Sequence, residues 1–462
     1  MAPEEHLWVA CLVARRVHEQ DFCVRQSVIT FVSLLLGLVL GPHEIEIAVS
    51  GPIERVELVL DGEIRATWLG PPWKATVDLG AELVPHRLEA VGYDGEGTEI
   101  ARAVQLLNLP RPQSEVSLAL ELDPAGQTST FDVHWSTVLG VAPREVEAFF
   151  DGRPLEADRF AAIALPPYDP RQLHFLQVEV AFSETQVATA EATFGGIYAD
   201  TVSSELTAVV LRPRDSDRGG RSGRRASTIG VDSTLLVAGE ERSPEVVERG
   251  SGEFVVLRDL GARSDLELLA GGGLRRSVFT ELGDAEILRL VGSVPELRRG
   301  PQGESWLFPT SGELEAGDGR LTRLLAFVGW PEEGTPRRPQ QLFPALAIAG
   351  VTAVSLDRRR IVVLVLGRPT EAVSDISSAE RVRGYLAALG VPLQVWTTAP
   401  NEWAATEHGW GELVDVSRPS RLQRAVRAAR QELEQQTVAW FSGAFLPQEF
   451  AAPEGAPYEV AR

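Results

Sequence analysis

The sequence predicts two β-sandwiches followed by a doubly wound α/β domain. Three observations carry this. Residues 44–111 break into short period-two runs punctuated by Asp-Gly turns, the grammar of antiparallel hairpins. The same grammar returns after an offset of about 90 residues, the size of one sandwich domain. From Gly252 onward, apolar runs alternate with helical spacings, which indicates strands crossed by helices.

The chain has 462 residues, room for about three domains. Its 44% hydrophobic and 24% charged content is that of an ordinary globular protein. The formal net charge of −21 argues against a general nucleic-acid or anionic-membrane binder, because phosphate contacts need a cationic face. With 7 His and 2 Cys, a Cys/His metal site is not expected.

Residues 1–43 read as an N-terminal extension with a signal-like segment near 24–42. Residues 28–40 (VITFVSLLLGLVL) are uncharged and apolar, follow Arg25, and end at Gly41-Pro42. The run is short for a membrane span, which needs about 20 residues, and fits a secretory leader. The alternatives are a buried core helix or an uncleaved anchor. The expected compartment is therefore extracytoplasmic: periplasmic, cell-surface or secreted. Cys11 and Cys23 both precede the run, so no disulfide is expected in the mature chain.

Residues 44–111 form the first predicted sandwich, with hairpin signals at Asp61-Gly62 and Asp94-Gly95. Residues 112–197 form the second. VELVLDG at 56–62 corresponds to VEAFFDG at 146–152, and each is followed by a Pro-Pro-aromatic unit ending in Trp73 or Tyr168. Each module then reaches a His-led alternating strand, at His86 and at His174. The spacing suggests immunoglobulin-like modules. The Pro-Pro-aromatic units are expected to pack their rings on the sandwich rather than to offer a ligand platform.

Residues 198–250 read as a connector. They hold a strand-like ELTAVVLRP at 205–213 and an Arg/Gly/Ser-rich loop at 215–228 that carries no apolar residue before Ala226. That loop is the one basic cluster in an acidic chain, and a solvated loop is the simpler reading.

Residues 251–447 form the predicted α/β domain. Strands are expected at 253–260, 285–294, 361–366, 393–396, 412–417 and 437–441. Helices are expected around 313–330, 342–356 and 379–389, and a long one within 421–443 that runs into the last strand. Residues 361–366 are an unbroken Val/Ile/Leu run, as a strand buried on both faces requires. The last helix places Leu422, Val426, Ala429 and Leu433 on one face. Residues 448–462 are rich in Pro and Ala and read as a frayed tail.

In order and texture the chain resembles bacterial von Willebrand factor A-type domain proteins with N-terminal immunoglobulin-like β modules. The resemblance lies in a first strand ending in Asp259 and in Gly334-Thr335 ahead of a helix beginning Leu342 to Leu346. It continues in the polar loop Ser374-Asp375-Ile376-Ser377, in Leu389-Gly390-Val391-Pro392, and in a closing helix and strand over 421–447. It covers most of the chain beyond Glu44. Such a family implies a metal-ion-dependent adhesion site: D-x-S-x-S after the first strand, a Thr from a second loop, and an Asp after the central strand. Mg²⁺ needs those hard oxygen ligands in an octahedral array.

Here the first loop keeps Asp259 but has Gly261 and Arg263 where hydroxyls belong. Thr335 matches the second loop loosely. Gly367 and Arg368 stand where the central strand should deliver its Asp. The site is therefore read as degenerate, with no cofactor and no bound Mg²⁺. Arg263 and Arg368 become candidate partner-binding residues, because guanidinium groups pair with carboxylates.

No nucleophile elbow, phosphate loop or zinc motif is present in the sequence. The expected function is non-enzymatic: an extracytoplasmic adhesion or assembly module with protein partners and possible envelope association. The alternative is a carbohydrate-binding or hydrolytic envelope protein using the Trp403/His408/Trp410 loop.

Overall fold

The computed structural model describes residues 27–123, 127–157, 160–169, 172–194, 206–214, 229–230, 233–271, 286–301, 303–315 and 339–462. The Arg-rich loop 215–228, Cys11, Cys23, Thr335 and most of the helix expected at 313–330 lie outside these residues.

The first module is a two-sheet sandwich. One sheet has the order β1 (Val28–Phe31), β2 (Pro42–Ser50), β5 (Lys74–Asp78). The other has the order β4 (Glu63–Trp68), β3 (Arg55–Leu60), β6 (His86–Tyr93), β7 (Glu99–Leu107). The second module repeats this connectivity. Its sheets are β12 (Ile163–Ala164), β9 (Thr128–Thr137), β8 (Ser114–Leu122), and β11 (Arg153–Leu155), β10 (Glu145–Phe150), β13 (His174–Ala181), β14 (Val187–Phe194). Asp61-Gly62 and Asp151-Gly152 turn with positive φ at both residues, the primed-turn geometry that suits the strand twist.

The signal-like reading of the apolar run is corrected here. Residues 28–31 are strand β1, paired with β2 in the register Val28↔Ser50 to Phe31↔Ile47. Ile29 and Phe31 are buried in the first core, and Leu34, Leu35 and Val39 pack against it. The sequence hid the strand because its outward positions, Val28 and Thr30, face the second module rather than water. Val28 packs on the core of the second module, and the Thr30 hydroxyl donates to Leu118 O at 3.0 Å. Among the described residues, the first module's strands thus begin at Val28.

The connector and tail are also corrected. They form a third β unit. One sheet has the order β18 (Val246–Glu248), β27 (Thr437–Ser442), β15 (Leu206–Pro213), β29 (Tyr458–Val460). The other is β17 (Glu240–Arg242), β16 (Leu235–Val237), β28 (Phe450–Ala451). Val209, Leu235, Phe441, Phe450 and Tyr458 share its core. The tail is not frayed, because it supplies Phe450 and Tyr458 to that core. Strand β27 does not close the α/β sheet. It pairs antiparallel with β15 and β18 instead.

Between β18 and β27 the chain inserts the α/β unit. Its six-stranded sheet has the order β23 (Leu314–Glu315), β20 (Glu286–Val291), β19 (Gly252–Arg258), β24 (Arg359–Leu366), β25 (Leu393–Thr397), β26 (Leu413–Asp415). Every neighbouring pair is parallel except β20 with β23. Ile361, Val363 and Val365 face α1 (Arg263–Gly271) and α6 (Pro419–Gln435). Val362, Leu364 and Leu366 face α2 (Leu342–Val354) and α4 (Ile376–Ala388). Burial on both faces explains the unbroken apolar run, each such side chain contributing about 1.5–3 kcal/mol. The short α3 (Glu371–Ser374) and α5 (Pro400–Ala404) complete the loops after β24 and β25. A hairpin, β21 (Glu296–Gly300) with β22 (Gly303–Leu307), projects after β20. Its Ser305 hydroxyl donates to Val138 O of the second module at 2.6 Å.

The first module rests on the helices of the α/β unit. Leu38, Leu83 and Leu109 join that helix-packed core, and the Tyr385 hydroxyl donates to Asn108 O at 2.7 Å.

Candidate functional site

Strand order reverses between β19 and β24, so their carboxyl ends open at a switch point where α/β sheets place ligand sites. Asp259 stands at the end of β19 and is 5% exposed. Gly367 follows β24.

The carboxylate of Asp259 is satisfied from within the chain. Gln340 Nε2 donates to Asp259 Oδ1 at 2.9 Å, and the Gly367 N–H donates to Oδ2 at 3.2 Å. Gln340 Oε1 in turn accepts the Leu260 N–H at 2.7 Å. A neutral amide and a backbone N–H thus stand where a cation would balance the charge.

The loops also leave little space. A Cβ on Gly367 would lie 2.3 Å from Gly261 C, and a Cβ on Gly261 would lie 2.8 Å from Asp259 Oδ2. Glycine at both positions lets the two loops close on each other. Gln340 was missed in the sequence. Its one signal is its position just ahead of α2, in the stretch that should bring the second-loop ligand. Among the described residues, no group of three or more His, Cys, Asp or Glu is arranged to hold a metal ion.

Trp403 fixes Gly367 from the other side. Its Nε1 donates to Gly367 O at 2.7 Å, and the ring is 1% exposed. Trp410 Nε1 donates to Val373 O at 2.8 Å, and its ring stacks on Phe343. This corrects the carbohydrate-platform reading of the Trp403/His408/Trp410 loop. Both indoles are buried with their N–H groups engaged, so neither offers a face to a sugar. His408 stands edge-on to Trp403 at 5.4 Å between centroids.

Arg263 and Arg368 both lie beyond the carboxyl ends of the strands, each beside an acid. Arg263 Nε is 2.9 Å from Glu267 Oε1, one turn along α1. Arg368 Nε is 3.9 Å from Glu402 Oε1, and its side chain is 78% exposed. Solvent-exposed pairs of this kind hold weakly, by about 0–1 kcal/mol, so both guanidinium groups can exchange partners. Asp265 accepts the Thr398 hydroxyl at 2.7 Å, tying α1 to the loop after β25.

No protein-family model and no curated protein matches the chain. Solved structures similar to parts of it include the fibronectin(III)-like modules of Clostridium thermocellum CbhA. That match has 16% identity and a TM-score of 0.15, covering 17% of this chain and 92% of that one. The central fibronectin-III array of RIM-binding protein is 10% identical at a TM-score of 0.17, with 42% and 77% covered. A β-glycosidase from Bacteroides vulgatus is 9% identical at a TM-score of 0.17. It covers 37% of this chain, which spans 25% of that enzyme. Scores this low carry no argument about function. The sandwich topology rests on the strand pairing of the chain itself.

Proposed function

We propose that the chain is a non-enzymatic protein–protein interaction or assembly protein. In this reading the α/β unit is a von Willebrand factor A-type domain that works without its ion. The sheet order supports it: β19, the unit's first strand in sequence, lies in the middle beside β24, with an antiparallel strand at the β23 edge. The observation that carries the metal-free reading is the closed arrangement of Asp259, Gln340 and Gly367. A divalent ion would have to displace both hydrogen bonds and push the facing loops apart. Arg263 and Arg368 then offer partner carboxylates a bidentate contact in place of the ion.

The test is thermal unfolding of the whole chain with Mg²⁺ or Mn²⁺ raised to about 10 mM. An ion that binds only the folded state raises the melting temperature with its concentration. No shift is expected. A shift that disappears in Asp259→Asn would establish an occupied ion site. Partners captured from an envelope fraction by the wild type should be lost by the Arg263→Ala, Arg368→Ala double variant. Unchanged capture would remove the arginines from the proposal.

A further inference from the structure

The outer faces of the sheets carrying β1 and β8 meet in a cleft of about 510 Å³, within the range of ligand-binding pockets. The cleft is held open by bonds between the modules. Thr30 Oγ1 donates to Leu118 O at 3.0 Å, Ser117 Oγ donates to Phe31 O at 3.0 Å, and Leu122 N donates to Ser50 Oγ at 3.3 Å. These are side-chain bridges, not a ladder. Among the described residues β1 pairs only with β2, and β8 only with β9. The edges of β1 and β8 are already bridged through Phe31 O and Leu118 O, so a segment entering the cleft lies on the outer faces and is held by side chains.

The lining mixes small and acidic side chains. Ala48 and Ala119 line the cleft together with Glu46, Glu121, Asp132 and His134. The carboxylates are held in place. Glu121 Oε2 accepts the Thr130 hydroxyl at 2.6 Å, and Asp132 Oδ1 accepts the Ala162 N–H at 2.6 Å. Each leaves its second oxygen without a hydrogen bond among the described residues. Glu46 is bridged to Lys74 at 2.8 Å, a half-exposed pair that an incoming cation can replace. Burial holds His134 below the ordinary histidine range against the pull of Asp132 and Glu46, so it adds no competing positive charge at neutral pH.

We infer that this inter-module cleft binds an extended basic segment of a partner protein, with Arg or Lys side chains reaching Glu121 and Asp132 over the alanines. The site lies on the β modules and is independent of the Asp259 loops, so either proposal can fail without the other.

A net charge of −21 attracts any basic peptide, so the test must separate the cleft from the charge. Binding of an alternating Arg-Val octapeptide to the full chain is measured by fluorescence anisotropy. Ala48→Trp fills the cleft from the outer face of β2 and leaves the net charge unchanged. It should weaken binding at least about tenfold. Glu121→Gln, which keeps an acceptor for Thr130, should weaken it by about threefold to tenfold and guards against misfolding of the tryptophan variant. The matching Gln-Val peptide should bind much more weakly to the wild type. If Ala48→Trp and Glu121→Gln both bind the Arg-Val peptide as the wild type does, the peptide senses only net charge and the cleft is not its site.

Discussion

In the second module, Asp151 Oδ2 lies 2.8 Å from His174 Nδ1, while Asp151 Oδ1 accepts the Phe175 N–H at 2.9 Å. The first module builds the same clasp between Asp61 and His86, at 2.6 Å, with Asp61 Oδ1 accepting the Arg87 N–H at 2.8 Å. In each case the aspartate of a tight turn is tied to the histidine that opens a neighbouring strand.

This clasp should make the second module's stability depend on pH. Burial works against a charge on His174, but the Asp151 carboxylate and the Asp169 carbonyl outweigh it, so its pKa is raised. Burial likewise opposes the charge on Asp151, but the bonds from His174 and Phe175 win, and its pKa is lowered. The sign follows by linkage. The His174 contribution is complete below the ordinary value of 6.5 and is lost as pH rises through the raised value. The Asp151 contribution is complete above the ordinary 3.8 and is lost as pH falls through the lowered value. Asp151→Asn should therefore destabilise by about 1 kcal/mol near pH 5, discounted for the partial exposure of the aspartate, and by less near pH 9. Denaturant unfolding at both pH values checks this. An equal gap at the two would show that the ion pair contributes nothing.

The clasp also shows what was legible in the chain. The Asp-Gly turns and His-led strands stood at matching places in both repeats, so the paired modules could be read from spacing alone. The buried strand at 361–366 was legible for the same reason, because a strand covered on both faces has no polar alternation to hide. Strand β1 was not, since Val28 and Thr30 face the second module rather than water. Nor was the exit of β27 from the parallel sheet. An apolar strand after an amphipathic helix reads alike whether it rejoins its own sheet or pairs with β15, more than two hundred residues earlier. At the switch point, Asp259, Gly261 and Gly367 could be placed from the sequence. That the Gln340 amide and the Gly367 N–H would hold the Asp259 carboxylate could not.

Gly367→Ala should be costly although it adds one methyl group. The new Cβ would lie 2.3 Å from Gly261 C and 2.5 Å from Ala262 N, and both neighbours are backbone, which cannot rotate away. Overpacking of this kind costs about 1–3 kcal/mol. The expected result is a lower denaturation midpoint with an unchanged slope. Wild-type stability would mean that the two loops are free to separate, and the metal-free reading would lose its steric support.

Gln340→Ala removes the amide that faces Asp259 Oδ1 and leaves a carboxylate oxygen buried without that donor. The loss should be about 1–3 kcal/mol at neutral pH, the cost of stranding a buried charged acceptor. If the site is a closed remnant of an ion site, the variant should also gain affinity for Mn²⁺. Thermal unfolding with and without Mn²⁺ would show this as partial rescue. Absence of rescue, with stability lost, would identify Gln340 as a purely structural brace.

Phe450→Ala tests whether the end of the chain belongs to the fold. The ring is fully buried, packed on Phe441 at 5.2 Å and on Phe445 at 5.8 Å between centroids. Emptying such a site costs about 3–5 kcal/mol. Phe441 lies on β27, directly after the inserted α/β unit, so the loss should loosen the point at which that unit rejoins its host sheet. Hydrogen exchange should then rise in β15 and β27, while β3, β6, β10 and β13 keep their protection. A frayed tail would give no change anywhere, and one cooperative unit would lose protection throughout. Exchange confined to the third unit would establish it as a separate structural body closed by residues from both ends of the insertion.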